Sequence, residues 1–419
     1  MELSIDPSAW GGKCISPSPR LVIFNRISQT NKEMSNRIVH QKNTCLMINP
    51  GPGLLAFLIF LAILSCKNTA DPDAAGPEPH DSVQGFPVEP VFELEWVCDH
   101  PVITRGDPGT DGNKYGFEGG CVLKSDGVYH LFTTEMFGNP LWTSTKLGYW
   151  SSKDGLSWDR ISTLFQSSGD FTGEDPRACL WSPMPTYDAR DEQWFLTYVA
   201  YNSKPNTDSA WYRNYNGKIW MAASRVKGFG GLGGPYSDAG VVLQAGPDAD
   251  PWEGLMGTDS FFPFPVCGGW MAFYGSSPES VGLAEAPELA GPWSRKTEVN
   301  PVRRYIENPL VTRIRDGRYI ALFDGCGKNR KIGYMISWDG IHWSQEHFFN
   351  LEEKVSHPWW RLTRTPMGLI QESENLFTVY FTAYNQDFYN IPGVWQTNDD
   401  VVFDGYFASV GMFRLKLIR

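Results

Sequence analysis

Three carboxylates, Glu118, Asp259 and Glu307, each open a segment of the same construction. Paired carboxyl groups can do acid–base work. One, kept protonated, gives its proton to a departing oxygen, and another, ionised, takes a proton from water. Burial or nearby negative charge keeps the donor protonated. The segments are "EGGCVLKSDGVYHLFTTE" from Glu118, "SPMPTYDARDEQWFLTYVA" from Ser182, "DSFFPFPVCGGWMAFYGSS" from Asp259, "ENPLVTRIRDGRYIALFDG" from Glu307 and "TPMGLIQESENLFTVYFTA" from Thr365. Each reads as a leading strand, a turn centred on glycine or a short polar residue, and an alternating aromatic-rich strand. Three of the five leading residues are acids, so the carboxylates meet only if the segments converge on one pocket.

A second repeated element sets the frame that would make them converge. "LGYWSSKDGLSWDR" from Leu147 is echoed by "IGYMISWDGIHWSQ" from Ile332. Weaker relatives begin at Lys218 ("KIWMAASRVKGFGGLGGPYS") and Ser280 ("SVGLAEAPELAGPWS"). Each turns at D-G or G-P, dipeptides suited to tight turns, and resumes at an aromatic: Trp158, Tyr236, Trp293 or Trp343. The two elements alternate, giving five units of two hairpins over residues 92–419. Units of this size read as four-stranded antiparallel blades, so the expected fold is all-β, a five-bladed β-propeller. In that fold the first strands of the blades surround a common axis. Asp154, although conspicuous in its motif, then belongs to an outer turn, matched by Asp339.

With the units in order, the chain resembles the five-bladed propeller glycosidases, especially glycoside hydrolase family 43 and its relatives. "YIENPLVTRIRDGRYIALFDG" is similar to that family's fourth-blade signature, with Asn308 where the family has Gly. "GTDSFFPFPVCGGWMAFYGSS" is similar to its third blade, "LWSPMPTYDARDEQWFLTYVA" to its second, and "GLAEAPELAGPWS" to its G-P-W hairpin. The resemblance implies hydrolysis of a polysaccharide or oligosaccharide. Glu307 would be the proton donor, Asp259 the charge that orients it, and Glu118 the base, with inversion as the outcome. Glu118 departs from the Asp usual there, and Asp111 and Glu135 are alternative bases. A non-catalytic glycan-binding propeller is the competing reading.

Sugar rings pack on aromatic faces, and Trp181, Phe261, Trp359 and Trp360 stand beside the expected pocket positions. Arg361 and Arg364 are placed to read an acidic group on a glycan. They are equally placed, like Arg303 and Arg304, to pair with the carboxylates. His357 in "SHPWWRLT" is structural, a substrate contact, or, as the resemblance implies, the holder of a water-ligated axial calcium. No other cofactor is required, and no carboxylate cluster suggests a protein-built calcium cage.

The bulk composition agrees. Aromatics make up 14% of the 419 residues, with 17 Trp, 42 Gly and 30 Pro, as many short strands and turns demand. The net charge of −11 disfavours nucleic acid and anionic membrane surfaces as partners. The run "LLAFLIFLAIL", Leu54 to Leu64, falls short of the roughly 20 residues that span a bilayer. It suits the apolar centre of a secretory signal. Ile63-Leu64-Ser65-Cys66 resembles a bacterial lipobox, which makes Cys66 the lipidated residue of a cell-envelope lipoprotein, periplasmic or on the outer-membrane surface. Residues 1–66 are then extension and signal, 67–91 a polar tether, and 92–419 the catalytic domain. The domain is expected to act as a monomer, touching the membrane only through its anchor.

Overall fold

The computed structural model describes residues 90–418, apart from 277, 278, 327, 328, 392 and 395. The apolar run, Cys66 and nearly all of the 67–91 segment lie outside the described residues. Val91 is an exception to the tether assignment. It is fully buried, and its amide donates to the Tyr334 hydroxyl at 3.0 Å, so the fold begins at least one residue before 92. Among the described residues the regular structure is strand and short 3₁₀ turn, with no α-helix. No helix among them is long and apolar enough to cross a membrane.

The strands follow the repeat. Gly116–Ser125, Val128–Met136, Thr145–Ser152 and Asp159–Gln166 form an antiparallel meander. Cys179–Asp188, Gln193–Asn202, Tyr215–Lys227 and Tyr236–Gln244 form the next. The third unit, Asp259–Val266, Gly269–Ser276 and Ser280–Ala286, has an outer edge split between two two-residue strands, Ser294–Arg295 and Arg303–Arg304. The fourth is Glu307–Arg313, Tyr319–Asp324, Ile332–Ser337 and the short His347–Phe348. In the last, Leu362–Gln371, Leu376–Tyr384 and Ala408–Leu417 are completed by the chain's first described strand, Phe92–Val97. The ladder is continuous from this unit into the first through a single parallel bridge, Gly116 to Ala408, so the strands form four sheets among the described residues.

The core lies between consecutive units. Phe117, Leu131 and Trp150 of the first unit pack with Tyr380, Val410 and Met412 of the last. Phe264 and Phe273 of the third pack with Ala321, Phe323 and Trp343 of the fourth. The two copies of the D-G-x-x-W motif explain how neighbours lock. Asp154 Oδ1 accepts from the amides of Leu156 and Ser157, both at 2.8 Å, and Asp339 Oδ1 accepts from Ile341 and His342 at the same distance. Those amides hold the Asp154 carboxyl down at about 2. The Trp that ends each motif enters the preceding unit: Trp158 meets Tyr380 edge-on, and Trp343 packs on Phe273. A Cβ on Gly155 would lie 2.4 Å from the Tyr380 hydroxyl, so the turn can seat that closely only as glycine.

Candidate active site

One local device aims the candidate residues. In each unit the leading strand loses register near its start, at a β-bulge, which kinks the strand and re-aims a side chain. The breaks fall between Glu118 and Gly120, Trp181 and Met184, Asp259 and Phe262, Glu307 and Leu310, and Thr363 and Pro366. The residue after the break point has positive φ in four units: Gly119, Ser182, Ser260 and Asn308. The register therefore aligns Glu118, Asp259 and Glu307 with Trp181 and Thr363. The sequence pattern puts Ser182 and Thr365 there, one and two residues too far along, because a bulge leaves no mark in the hydrophobic alternation.

The bulge residues also join neighbouring units. Ser260 Oγ donates to Asn308 Oδ1 at 2.8 Å, and Asn308 Nδ2 donates to Asp324 Oδ2 at 3.0 Å. This accounts for Asn308 in place of glycine: asparagine tolerates the left-handed conformation and its amide bridges two units. At Gly119 a Cβ would approach Ser182 Oγ to 2.5 Å, and at Gly120 it would stand 1.9 Å from the Phe132 carbonyl oxygen. The glycine pair after Glu118 is thus set by close approach as well as by its φ values.

Glu118, Asp259, Glu307, Trp181 and Arg364 line one cavity of about 290 Å³. Arg364 is its electrostatic centre. Its Nη2 lies 2.9 Å from Glu118 Oε1 and 3.2 Å from Glu307 Oε2, and its Nη1 lies 3.8 Å from Asp324 Oδ2. The Tyr384 hydroxyl donates to the other oxygen of Glu118. The extra methylene of Glu118 carries its carboxylate toward Arg364 and Tyr384, both on the last unit. Glu307 has its carboxyl pushed up to about 7. Burial is the main cause; Arg364 opposes it, and Asp324 and then Asp259 reinforce it. Asp259 is raised as well, by burial, with Tyr201, Ser260 and Arg364 pulling it back. A buried carboxyl that stays protonated near neutrality beside a second carboxylate is the arrangement needed for proton donation to a leaving group.

Several expected residues lie elsewhere. Phe261 is 2% exposed and packs edge-on against Trp293, because the bulge that aims Asp259 inward turns the residue two places on into the core. Trp359 and Trp360 pack on Phe381 in a core cluster away from the cavity lining. Arg361 is exposed and does not line the cavity. Arg364 is committed to three carboxylates, and Arg361 stands outside the cavity. His357 is exposed and absent from the lining, so it does not fit a cation held in the cavity. Of the alternative bases, Asp111 is exposed, and Glu135 is closed off by Arg160 at 2.8 Å and by the Trp150 indole at 2.9 Å.

Other residues enter unannounced. Asp324, paired in register with Glu307, supplies more of the negative charge around it than Asp259 does. Glu279 and the aromatics Trp142, Trp211 and Tyr389 are also part of the wall. The aromatics come from connections between strands, where no periodicity marks them. Asp324 has a signal, since it ends the second strand of the Glu307 hairpin.

No protein-family model matches the chain, and no curated protein matches it by sequence. Solved structures do match by shape. A family 117 glycoside hydrolase produced by the marine bacterium Zobellia galactanivorans aligns with TM-score 0.52 at 13% identity, over 78% of this chain and 90% of its own. BT0996, in a complex with RGII, aligns with TM-score 0.52 at 11% identity, over 77% of this chain and 91% of its own. At such identities the likeness is one of fold. In that sense the chain resembles the five-bladed propeller glycosidases, with three carboxylates from three different units in its cavity.

Proposed function

We propose that residues 92–419 form a five-bladed propeller glycoside hydrolase, inverting in its stereochemistry, that releases a sugar from a polysaccharide or oligosaccharide. The observation that carries this reading is the shared register. Glu118, Asp259 and Glu307 stand at the same point of three leading strands, next to a bulge, and line one cavity. Glu307 donates the proton to the leaving oxygen. Glu118 takes a proton from the attacking water on the opposite face of the sugar. Asp259 and Asp324 supply negative charge that keeps Glu307 protonated. Trp142, Trp181 and Trp211 offer apolar faces to a sugar ring. Besides the protonated Glu307, the lining holds three acidic side chains against one guanidinium, which favours an uncharged sugar over an acidic one.

The test is turnover of aryl glycosides of arabinofuranose, xylose and galactose, and of plant and algal polysaccharides, by wild type and by Glu307→Gln. Turnover equal in the two proteins would refute the donor role. A second reading, a glycan-binding protein without turnover, is favoured by one feature: Arg364 links Glu118 and Glu307 through a single nitrogen. Binding of a polysaccharide with no hydrolysis would select it. We further propose that Cys66 is lipidated and anchors the domain in the cell envelope. Loss of membrane association in Cys66→Ala is the expected result.

A further inference from the structure

Glu279 has so far been only one of the acids of the cavity wall, and Tyr305 has had no part, yet the chain keeps both in unfavourable backbone conformations. Neither is glycine, and both have positive φ, 26° and 64°. Such conformations are strained and concentrate at functional sites. Here the two are tied together, with the Tyr305 amide donating to the Glu279 carbonyl at 2.5 Å. The split outer edge of the third unit serves this contact. Arg303–Arg304 pairs with Val281 and Ser280, directly beside Glu279, and so brings Tyr305 back to it. Glu279 lines the cavity, and its carboxyl, pushed up by burial and drawn back by Arg364, has no hydrogen-bond partner among the described residues. Tyr305 is 53% exposed and stands two residues before Glu307.

Position gives the pair a role. The oxygen that receives the Glu307 proton belongs to the departing sugar, so that sugar lies against the segment that carries Glu307. We infer that Glu279 and Tyr305 form the subsite for the leaving-group sugar. Glu279 accepts hydrogen bonds from its hydroxyls, and Tyr305, tied to Glu279 through the backbone, offers an exposed aromatic surface. An unpaired carboxylate selects a neutral sugar unit here and rejects one bearing carboxylate or sulfate. This inference rests on the hydrolase reading of the same cavity.

The test compares two kinds of substrate with the same reacting sugar. Disaccharides of arabinofuranose, xylose and galactose carry a leaving sugar, and the corresponding glycosyl fluorides do not. Glu279→Gln removes the charge at constant shape. Tyr305→Gly removes the ring and accepts the positive φ, so the backbone is preserved. In each variant the ratio of kcat/KM on disaccharide to kcat/KM on fluoride is expected to fall roughly tenfold, because binding energy from the leaving sugar is lost. A ratio within about twofold of wild type in both variants overturns the subsite. An equal fall on both substrates overturns it too, since it marks a structural role. Wild-type turnover of neither substrate defeats the hydrolase reading itself, and this inference with it.

Discussion

Replacing Glu307 by glutamine should make the protein more stable, and only at higher pH. The Glu307 carboxyl lies at about 7 in the folded protein against an ordinary 4.5. At about 1.4 kcal/mol per unit, the ionised group costs the fold about 3 kcal/mol. The folded state holds the extra proton between these two values, so stability falls as pH rises through that window and is lowest above it. Glutamine keeps an oxygen for Arg364 Nη2 and carries no charge at any pH. Chemical denaturation of both proteins at about pH 5 and about pH 8 reads the difference. Glu307→Gln should be close to wild type at the lower pH and about 2–3 kcal/mol more stable at the higher one. Turnover should meanwhile fall by a factor of about 10²–10⁴, the usual contribution of a general acid. A stability difference that is the same at both pH values would refute the burial argument, and with it the reason for assigning the proton to Glu307.

Three further outcomes are expected. Arg364→Met should cost about 3–5 kcal/mol near neutral pH, because three carboxylates lose their common partner, and the loss should shrink toward pH 5 as Glu307 protonates; urea melts at the two pH values measure it. Gly120→Ala should cost more than about 3 kcal/mol, read as a fall in Tm, since its Cβ would meet the Phe132 carbonyl oxygen in a left-handed backbone. Asp154→Ala should cost only about 1 kcal/mol, for the lost turn hydrogen bonds, with turnover retained; a large loss of activity with the fold intact would mean that the repeated motif has a chemical role.

The parts of this structure legible in the sequence are those with a period. The D-G-x-x-W turns and the aromatic-rich second strands mark five units, and the acids at the heads of three leading strands mark the cavity. The bulges are invisible, because one unpaired residue disturbs a short alternation no more than ordinary variation does. That is why the pattern puts Ser182 and Thr365 where Trp181 and Thr363 stand, and why Phe261, two residues after a cavity acid, reads as a cavity residue when it belongs to the core. Trp359 and Trp360 follow the same logic: closeness in sequence to Arg364 does not survive the turn that sends them beneath Phe381. Glu279, Trp142 and Tyr389 sit in connections whose paths are set by tertiary contacts alone. Arg364 is legible as a cavity residue, and of the two roles the sequence leaves open to it, its contacts are those of a counter-charge to the acids around it.

The pairing of Phe92–Val97 with Ala408–Leu417 has a consequence for how the molecule is made. The strand that completes the last unit is the first of the described strands to leave the ribosome. It must wait unpaired until its partner, more than three hundred residues later, has been synthesised. Closing so long a loop costs only a few kcal/mol more than closing a short one, since the penalty grows with the logarithm of length. The delay is the larger burden, because an unpaired strand edge invites association with other chains. Arg364 stands on Leu362–Gln371, which pairs with Leu376–Tyr384, so the terminal strand closes the unit without touching the cavity's counter-charge. Variants that weaken the terminal pairing should therefore show concentration-dependent association through the uncovered Ala408–Leu417 edge before the cavity residues are disturbed.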